Sequence, residues 1–291
     1  MRVEQLKIRK MFVDGKRIET LWIPPSRRRS PSERQEAWQS GEALPSENVT
    51  QPGKECTLVM LHGGLGSIGI WKDLPQWLAQ NTGCGVLAYD RYGNGRSQPS
   101  GEKRPVSYMH HEGEVVLPEL LAKLGVGNPI LIGHSDGGSI AIVYAGKFCE
   151  RVRGLILLAP HVFVEEISLQ GALNAKAEYE RSDLRQKLAK YHANVDATFW
   201  GWNDVWLDPS FRTWNLESYL PQICCPVLMI QGEQDEYGTV RQLDAIRARV
   251  AQSEVLMLPD CGHSPDRDAP EIVLARMKEF IAGLQRISDA G

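Results

Sequence analysis

The chain has 291 residues, close to twice a typical domain length, yet α/β cores of about 200 to 250 residues often fold as one unit, so one core with an insert is as admissible as two domains. Hydrophobic residues make up 42% and charged residues 24%, with 27 Gly and 17 Pro, which excludes disordered, collagen-like and coiled-coil classes. Lys and Arg total 33 against 36 Asp and Glu, a net charge of −3, too balanced to favour nucleic acid or an anionic membrane as partner.

No run of about 18 apolar residues is present, and the charged, alternating start Met1-Arg2-Val3-Glu4-Gln5-Leu6-Lys7 lacks the apolar stretch of a secretion signal; a cytoplasmic protein is expected. The six cysteines, at 56, 84, 149, 224, 225 and 261, are scattered without metal-site spacing and read as reduced structural thiols. The sequon Asn48-Val49-Thr50 then has no consequence. Residues 6–23 alternate about Asp14-Gly15 and predict a β-hairpin whose two arms are both edge strands. Residues 24–54 are rich in Pro, Ser, Arg, Glu and Gln without periodicity, and read as a solvated polar insert. Arg27-Arg28-Arg29 could serve as a basic docking tag, but Glu33, Glu36 and Glu42 offset it.

From Cys56 onward, short Val/Leu/Ile runs alternate with helical patterns, the signature of an α/β fold with a mostly parallel sheet covered on both faces. Strands are predicted at 57–61, 85–88, 130–132, 154–158, 227–230 and 254–258. Helices are predicted at 71–80, 112–124, 138–148, 240–251 and 270–284. The rhythm breaks at 161–221, where helical character over 172–191 precedes an aromatic, polar run through Trp214. A helical cap inserted into a core made of 1–160 and 222–291 accounts for this best.

The predicted strand Ile130-Leu131-Ile132 runs into Gly133-His134-Ser135-Asp136-Gly137-Gly138 and then a helix. Gly-x-Ser-x-Gly alone arises by chance in roughly one chain in ten of this length. The strand before it and the helix after it are the context in which such a turn exposes a serine nucleophile. A serine hydroxyl needs a base to take its proton, and the base an acid to orient it. His263 follows the strand 254–258 in Pro259-Asp260-Cys261-Gly262-His263 and is the candidate base. Asp235, just past the strand 227–230, is the candidate acid, because strand C-termini deliver side chains to the crevice of such a sheet. Asp260 and Asp266 are the rivals, but they lie so close to His263 in sequence that they more naturally shape its loop. For an oxyanion, Leu61-His62-Gly63-Gly64-Leu65-Gly66 offers the backbone N–H of Leu65, or of Gly64, to partner that of Asp136.

The order Ser135, Asp235, His263, with the turn His62-Gly63-Gly64 and the loop Asp90-Arg91-Tyr92-Gly93-Asn94-Gly95-Arg96-Ser97, resembles the α/β-hydrolase family over roughly residues 56–284. The resemblance implies a central sheet of about eight strands and a serine-dependent hydrolase that needs no metal or organic cofactor. The interval 161–221 takes the position of the family's variable cap, whereas the insert at 24–54 is not explained by it. Relatives with an aspartate or cysteine nucleophile are set aside by Ser135. Carboxylic ester hydrolysis is the leading expectation, with lactone, amide (including amino-acid ester) or C–C hydrolysis, or a ligand receptor with little turnover, as alternatives. Ser-Asp-Gly-Gly also resembles the elbow of amino-acid ester prodrug hydrolases, where the aspartate recognises a substrate ammonium; a carboxylate that stabilises the following helix is the plainer reading of Asp136. His161, just past the strand 154–158, and Trp200, Trp202 and Trp206 in the cap are candidate contacts for a small-molecule substrate. A monomer or homodimer is expected.

Overall fold

The computed structural model describes residues 7–25 and 56–289; most of the polar insert, Arg27-Arg28-Arg29, the sequon and the first six residues lie outside them. Eight strands form one sheet in the order β1-β2-β4-β3-β5-β6-β7-β8: β1 (Lys7–Val13), β2 (Lys16–Ile23), β3 (Thr57–Leu61), β4 (Gly85–Tyr89), β5 (Ile130–His134), β6 (Gly154–Leu158), β7 (Val227–Gly232) and β8 (Ser253–Leu258). From β4 to β8 all pairings are parallel, and the β1–β2 hairpin joins antiparallel. Only β1 of the hairpin is an edge. β2 pairs with β4 through Thr20↔Tyr89 to Ile23↔Val86, so the expectation of two edge strands is corrected; its buried run through Trp22 suits an interior position.

Alternate residues of the central strands feed two separate cores. Val59, Leu61, Leu131, Leu155, Leu157 and Met229 pack on one face, and Leu58, Met60, Ile130, Ile132, Ile156 and Leu228 on the other. That division explains why these strands carry no polar alternation: both faces are dry, and each buried aliphatic side chain is favoured by about 1.5–3 kcal/mol. Helices α1 (Leu74–Thr82) and α8 (Pro270–Asp289) cover the second face with Leu78, Val273, Met277 and Ile281. The first face is covered by α2, continuous over Tyr108–His111, Glu112–Val116 and Leu117–Leu124, by α3 (Asp136–Lys147) and by α7 (Val240–Arg247).

Between β6 and β7 the chain leaves the sheet for α4 (Glu166–Arg181), α5 (Leu184–Ala189) and α6 (Val195–Trp206). The helical pattern at 172–191 is thus two helices, and the aromatic run is a third, opened by Asn194, whose side chain accepts from the Ala197 amide. Tyr179 of α4 stacks on Phe199 of α6 at 3.7 Å between centroids, giving this layer its own aromatic centre.

The cysteines depart from expectation. Cys56 and Cys84 form a disulfide with Cα atoms 4.9 Å apart, because each immediately precedes one of two parallel strands paired Thr57↔Gly85. Only the register brings them together, so their sequence spacing carried no signal. Cys149, Cys224, Cys225 and Cys261 are free. Among the described residues no helix is long and apolar enough to cross a membrane, and no cluster of three or more His, Cys, Asp or Glu side chains is placed to hold a metal ion.

Candidate active site

The C-terminal ends of β3, β5, β6, β7 and β8 converge beneath the helical layer. At the end of β5, Ser135 has φ +53°, a left-handed conformation that costs a non-glycine residue about 1–3 kcal/mol and is held here by the hydrogen bond its backbone N–H donates to the Leu158 carbonyl. The glycines around it are steric requirements. A Cβ on Gly137 would run into the Leu61 carbonyl, and one on Gly133 into the backbone of Gly137. With both absent, α3 starts directly at Asp136 and the serine hydroxyl stands on the tip of the turn.

Ser135 Oγ lies 2.9 Å from His263 Nε2, and His263 Nδ1 lies 2.8 Å from Asp235 Oδ1. Residues 128 and 28 positions apart are brought together because the loops after β7 and β8 pack without side chains between them; a Cβ on Gly232 would run into the Cys261 carbonyl. Asp235 also accepts from the Tyr237 amide at 2.8 Å, the Gly238 amide at 3.2 Å and Gln231 Nε2 at 3.1 Å. Burial opposes its ionisation, but the hydrogen bond and charge of His263, with the Tyr237 amide, outweigh it and hold the carboxyl below its usual range. The rivals are elsewhere: Asp260 takes φ +52° in the turn before His263 and accepts from Gln234, and Asp266 stands at the cavity wall.

Two further imidazoles surround His263. His134 Nε2 lies 2.7 Å from the His263 carbonyl, which steadies the histidine loop, and His161 is 5.6 Å from the His263 ring, centroid to centroid. Burial, reinforced by the proximity of His263, pushes His161 down to about 4, so it is neutral at pH 7. The Asp136 carboxylate is fully buried beneath the elbow, accepting from the Tyr108 hydroxyl at 2.5 Å and lying 3.6 Å from Arg91 Nη2. Its side chain therefore faces away from the cavity, and only its backbone N–H is placed beside Ser135.

A cavity of about 190 Å³ opens onto Ser135 and His263, walled by the turn 62–66, His161, Trp202 and Trp206. Sequence reading missed Trp71, Leu188 and Tyr237, which also line it and come from three different segments. Trp200 is a correction: it is half-buried, packs against Tyr179 and Phe199 with Lys176 Nζ 5.7 Å from its ring, and does not line the cavity. The helical period explains the difference, since positions 202 and 206 share a face that 200 does not. Trp202 lies directly on Gly64, where a Cβ would collide with its ring.

The chain was compared with known proteins. A family model described as the alpha/beta hydrolase fold matches residues 57–200. A proline iminopeptidase of Thermoplasma volcanium is 25% identical over 78% of this chain and 90% of its own length. One from Saccharolobus solfataricus is 26% identical over 79% and 86%. Among solved structures, a proline iminopeptidase of Mycobacterium smegmatis superposes with a TM-score of 0.71 at 17% identity, covering 97% of this chain and 100% of that one. A carboxylesterase of Bacillus subtilis does so with a TM-score of 0.64 at 17% identity, covering 96% and 93%.

Proposed function

The chain belongs to the α/β-hydrolase family and is a hydrolase, and we propose that it cleaves a small, neutral carboxylic ester through an acyl-enzyme on Ser135. The observation that carries this reading is the continuous relay Ser135 Oγ to His263 Nε2 at 2.9 Å and His263 Nδ1 to Asp235 at 2.8 Å, set at a strained elbow on the cavity floor.

Ser135 Oγ attacks the carbonyl carbon while His263 Nε2 takes its proton. The carbonyl oxygen, now negative, accepts from the Leu65 and Asp136 amides. Collapse of the tetrahedral intermediate expels the alcohol, protonated by His263. Water, deprotonated by His263, then attacks the acyl carbon, and the acid leaves as the proton returns to Ser135. Asp235 holds the imidazole in the tautomer that presents Nε2 to the serine and stabilises the imidazolium formed at each step. The size and lining of the cavity support a small neutral substrate. Its volume of about 190 Å³ is bounded by Ile70, Trp71, Leu188, Trp202, Trp206 and Tyr237, and the imidazole of His161 is uncharged at neutral pH.

Fluorophosphonate labelling of Ser135, with loss of p-nitrophenyl acetate hydrolysis by about 10⁴-fold or more in Ser135→Ala, is the expected result; full activity in that variant overturns the assignment. A second reading, cleavage of an amide after an N-terminal proline, is supported by the two iminopeptidase relatives. A cationic amine would find one carboxylate in the cavity lining, Asp266, next to Arg267. Turnover of proline p-nitroanilide faster than of the acetate ester would favour this reading over the ester one.

A further inference from the structure

The turn at 63–66 is held from outside, carbonyl by carbonyl. Gly63 O accepts from Arg91 Nη2 at 2.7 Å, Gly64 O from Asn94 Nδ2 at 2.9 Å, and Gly66 O from the same Nδ2 at 3.0 Å. Leu65 O lies 3.1 Å from His192 Nε2, whose Nδ1 accepts from the Gly95 amide at 2.9 Å. Asn94 itself is 1% exposed, lies between Gly93 (φ +82°) and Gly95 (φ +56°), and has its Oδ1 3.1 Å from the donor Arg104 Nη2. An amide whose oxygen accepts from a guanidinium must present its NH₂ on the other side, towards the turn.

A trans peptide sets the C=O of one residue antiparallel to the N–H of the next, and the chain has no cis peptide among its described residues. The bond that fixes Gly64 O therefore also fixes the direction of the Leu65 N–H, pointing it away from Asn94. That amide donates to no protein acceptor among the described residues, and Gly64 and Leu65 both line the cavity beside Ser135. We propose that Asn94, oriented by Arg104, is a positioning residue for the oxyanion hole: its side-chain amide aims the Leu65 N–H at the oxygen that becomes negative during acyl transfer. This rests on the ester-hydrolase reading above, in which Leu65 is an oxyanion donor.

Asn94→Asp keeps the shape and the oxygen facing Arg104 but can no longer donate to Gly64 O. With p-nitrophenyl acetate, its kcat is expected to fall about 10²-fold while KM stays within about threefold, the pattern of an interaction made in the transition state. Affinity for a trifluoromethyl ketone, whose adduct with Ser135 carries an oxyanion, should weaken by the same factor. Arg104→Met leaves Asn94 in place but frees its amide to rotate; a loss in the same direction of about 5- to 10-fold is expected, and this variant carries the test if Asn94→Asp does not fold. An unchanged kcat, a rise in KM alone, or a lower kcat with ketone affinity intact overturns the positioning role. A wild-type protein that neither hydrolyses esters nor is labelled at Ser135 overturns the ester-hydrolase reading itself, and the positioning role with it.

Discussion

Two turns meet at the cavity floor, and they are held in opposite ways. The elbow at 133–138 is shaped from within. Its glycines remove collisions with backbone a few residues away or on the neighbouring strand, and Ser135 takes the strained φ of +53° between β5 and α3. The turn at 63–66, closed by its own bond from the Gly66 amide to the Gly63 carbonyl, is held mainly from without, by Arg91, Asn94 and His192 acting on its carbonyls and by Trp202 lying on Gly64. A local device leaves a short motif in the sequence. A remote one leaves scattered residues whose partnership appears only on folding.

The largest effect should follow from breaking what the elbow serves. Asp235→Asn retains the shape of the acid but disfavours the tautomer that leaves His263 Nε2 free to take the serine proton, so kcat should drop by about 10⁴-fold. Stopped-flow or steady-state ester hydrolysis measures it, and a loss below tenfold would remove Asp235 from the relay. Next comes the second turn. Gly64→Ala places a methyl group in the Trp202 ring, and displacement of the turn should reduce kcat by about 10- to 100-fold. Gly64→Ala with Trp202→Ala should recover part of that loss; if the pair is no better than Gly64→Ala alone, the collision is not the cause. A smaller effect, roughly tenfold on kcat, is expected for His192→Leu, which removes the link from the helical layer to Leu65 O and Gly95 N. His192→Gln, with a donor and an acceptor of its own, should be milder. Equal losses in the two variants would show that the ring's bulk matters and not its bonds.

The histidines around these turns also set an acid limit. Burial lowers the pKa of His62, His134, His161 and His192, the third to about 4. An imidazole depressed in the folded state contributes stability that is complete above its unfolded value of about 6.5 and is lost as pH falls towards the folded value. For His161 alone the loss is on the order of 3 kcal/mol by pH 4. Urea midpoints measured from pH 7 to pH 4 should fall accordingly, and His161→Phe should flatten part of the slope. The smallest effect is expected at Trp200, which is half-buried and does not line the cavity: Trp200→Phe should leave kcat/KM within about twofold, whereas Trp206→Phe alters the cavity wall and should change KM.

The central strands were legible because each is a short dry run whose residues feed two cores, and the turn that carries Ser135 because a glycine-flanked serine lay between a strand and a helix. His263 and Asp235 were legible from their places after β8 and β7. The position of β2, the Cys56–Cys84 bridge and the packing of Trp200 outside the cavity were not. The first two depend on which strand lies beside which, and the third on how α4 and α6 pack their aromatic rings. The chain leaves the sheet after β6 at Leu158 and returns to it at Val227 of β7.

The sequence by itself determined the α/β class, the interruption after β6 and the identity of three chemically matched residues, because these follow from periodicity and from turns that local sterics demand. Tertiary structure decided which tryptophans face the cavity, that the Asp136 carboxylate turns towards Tyr108 and Arg91, and that Asn94 and His192 grip the turn at 63–66. Those outcomes depend on distances between groups 28 to 127 positions apart, which no local pattern encodes and only the packing of the sheet, its loops and the helical layer sets.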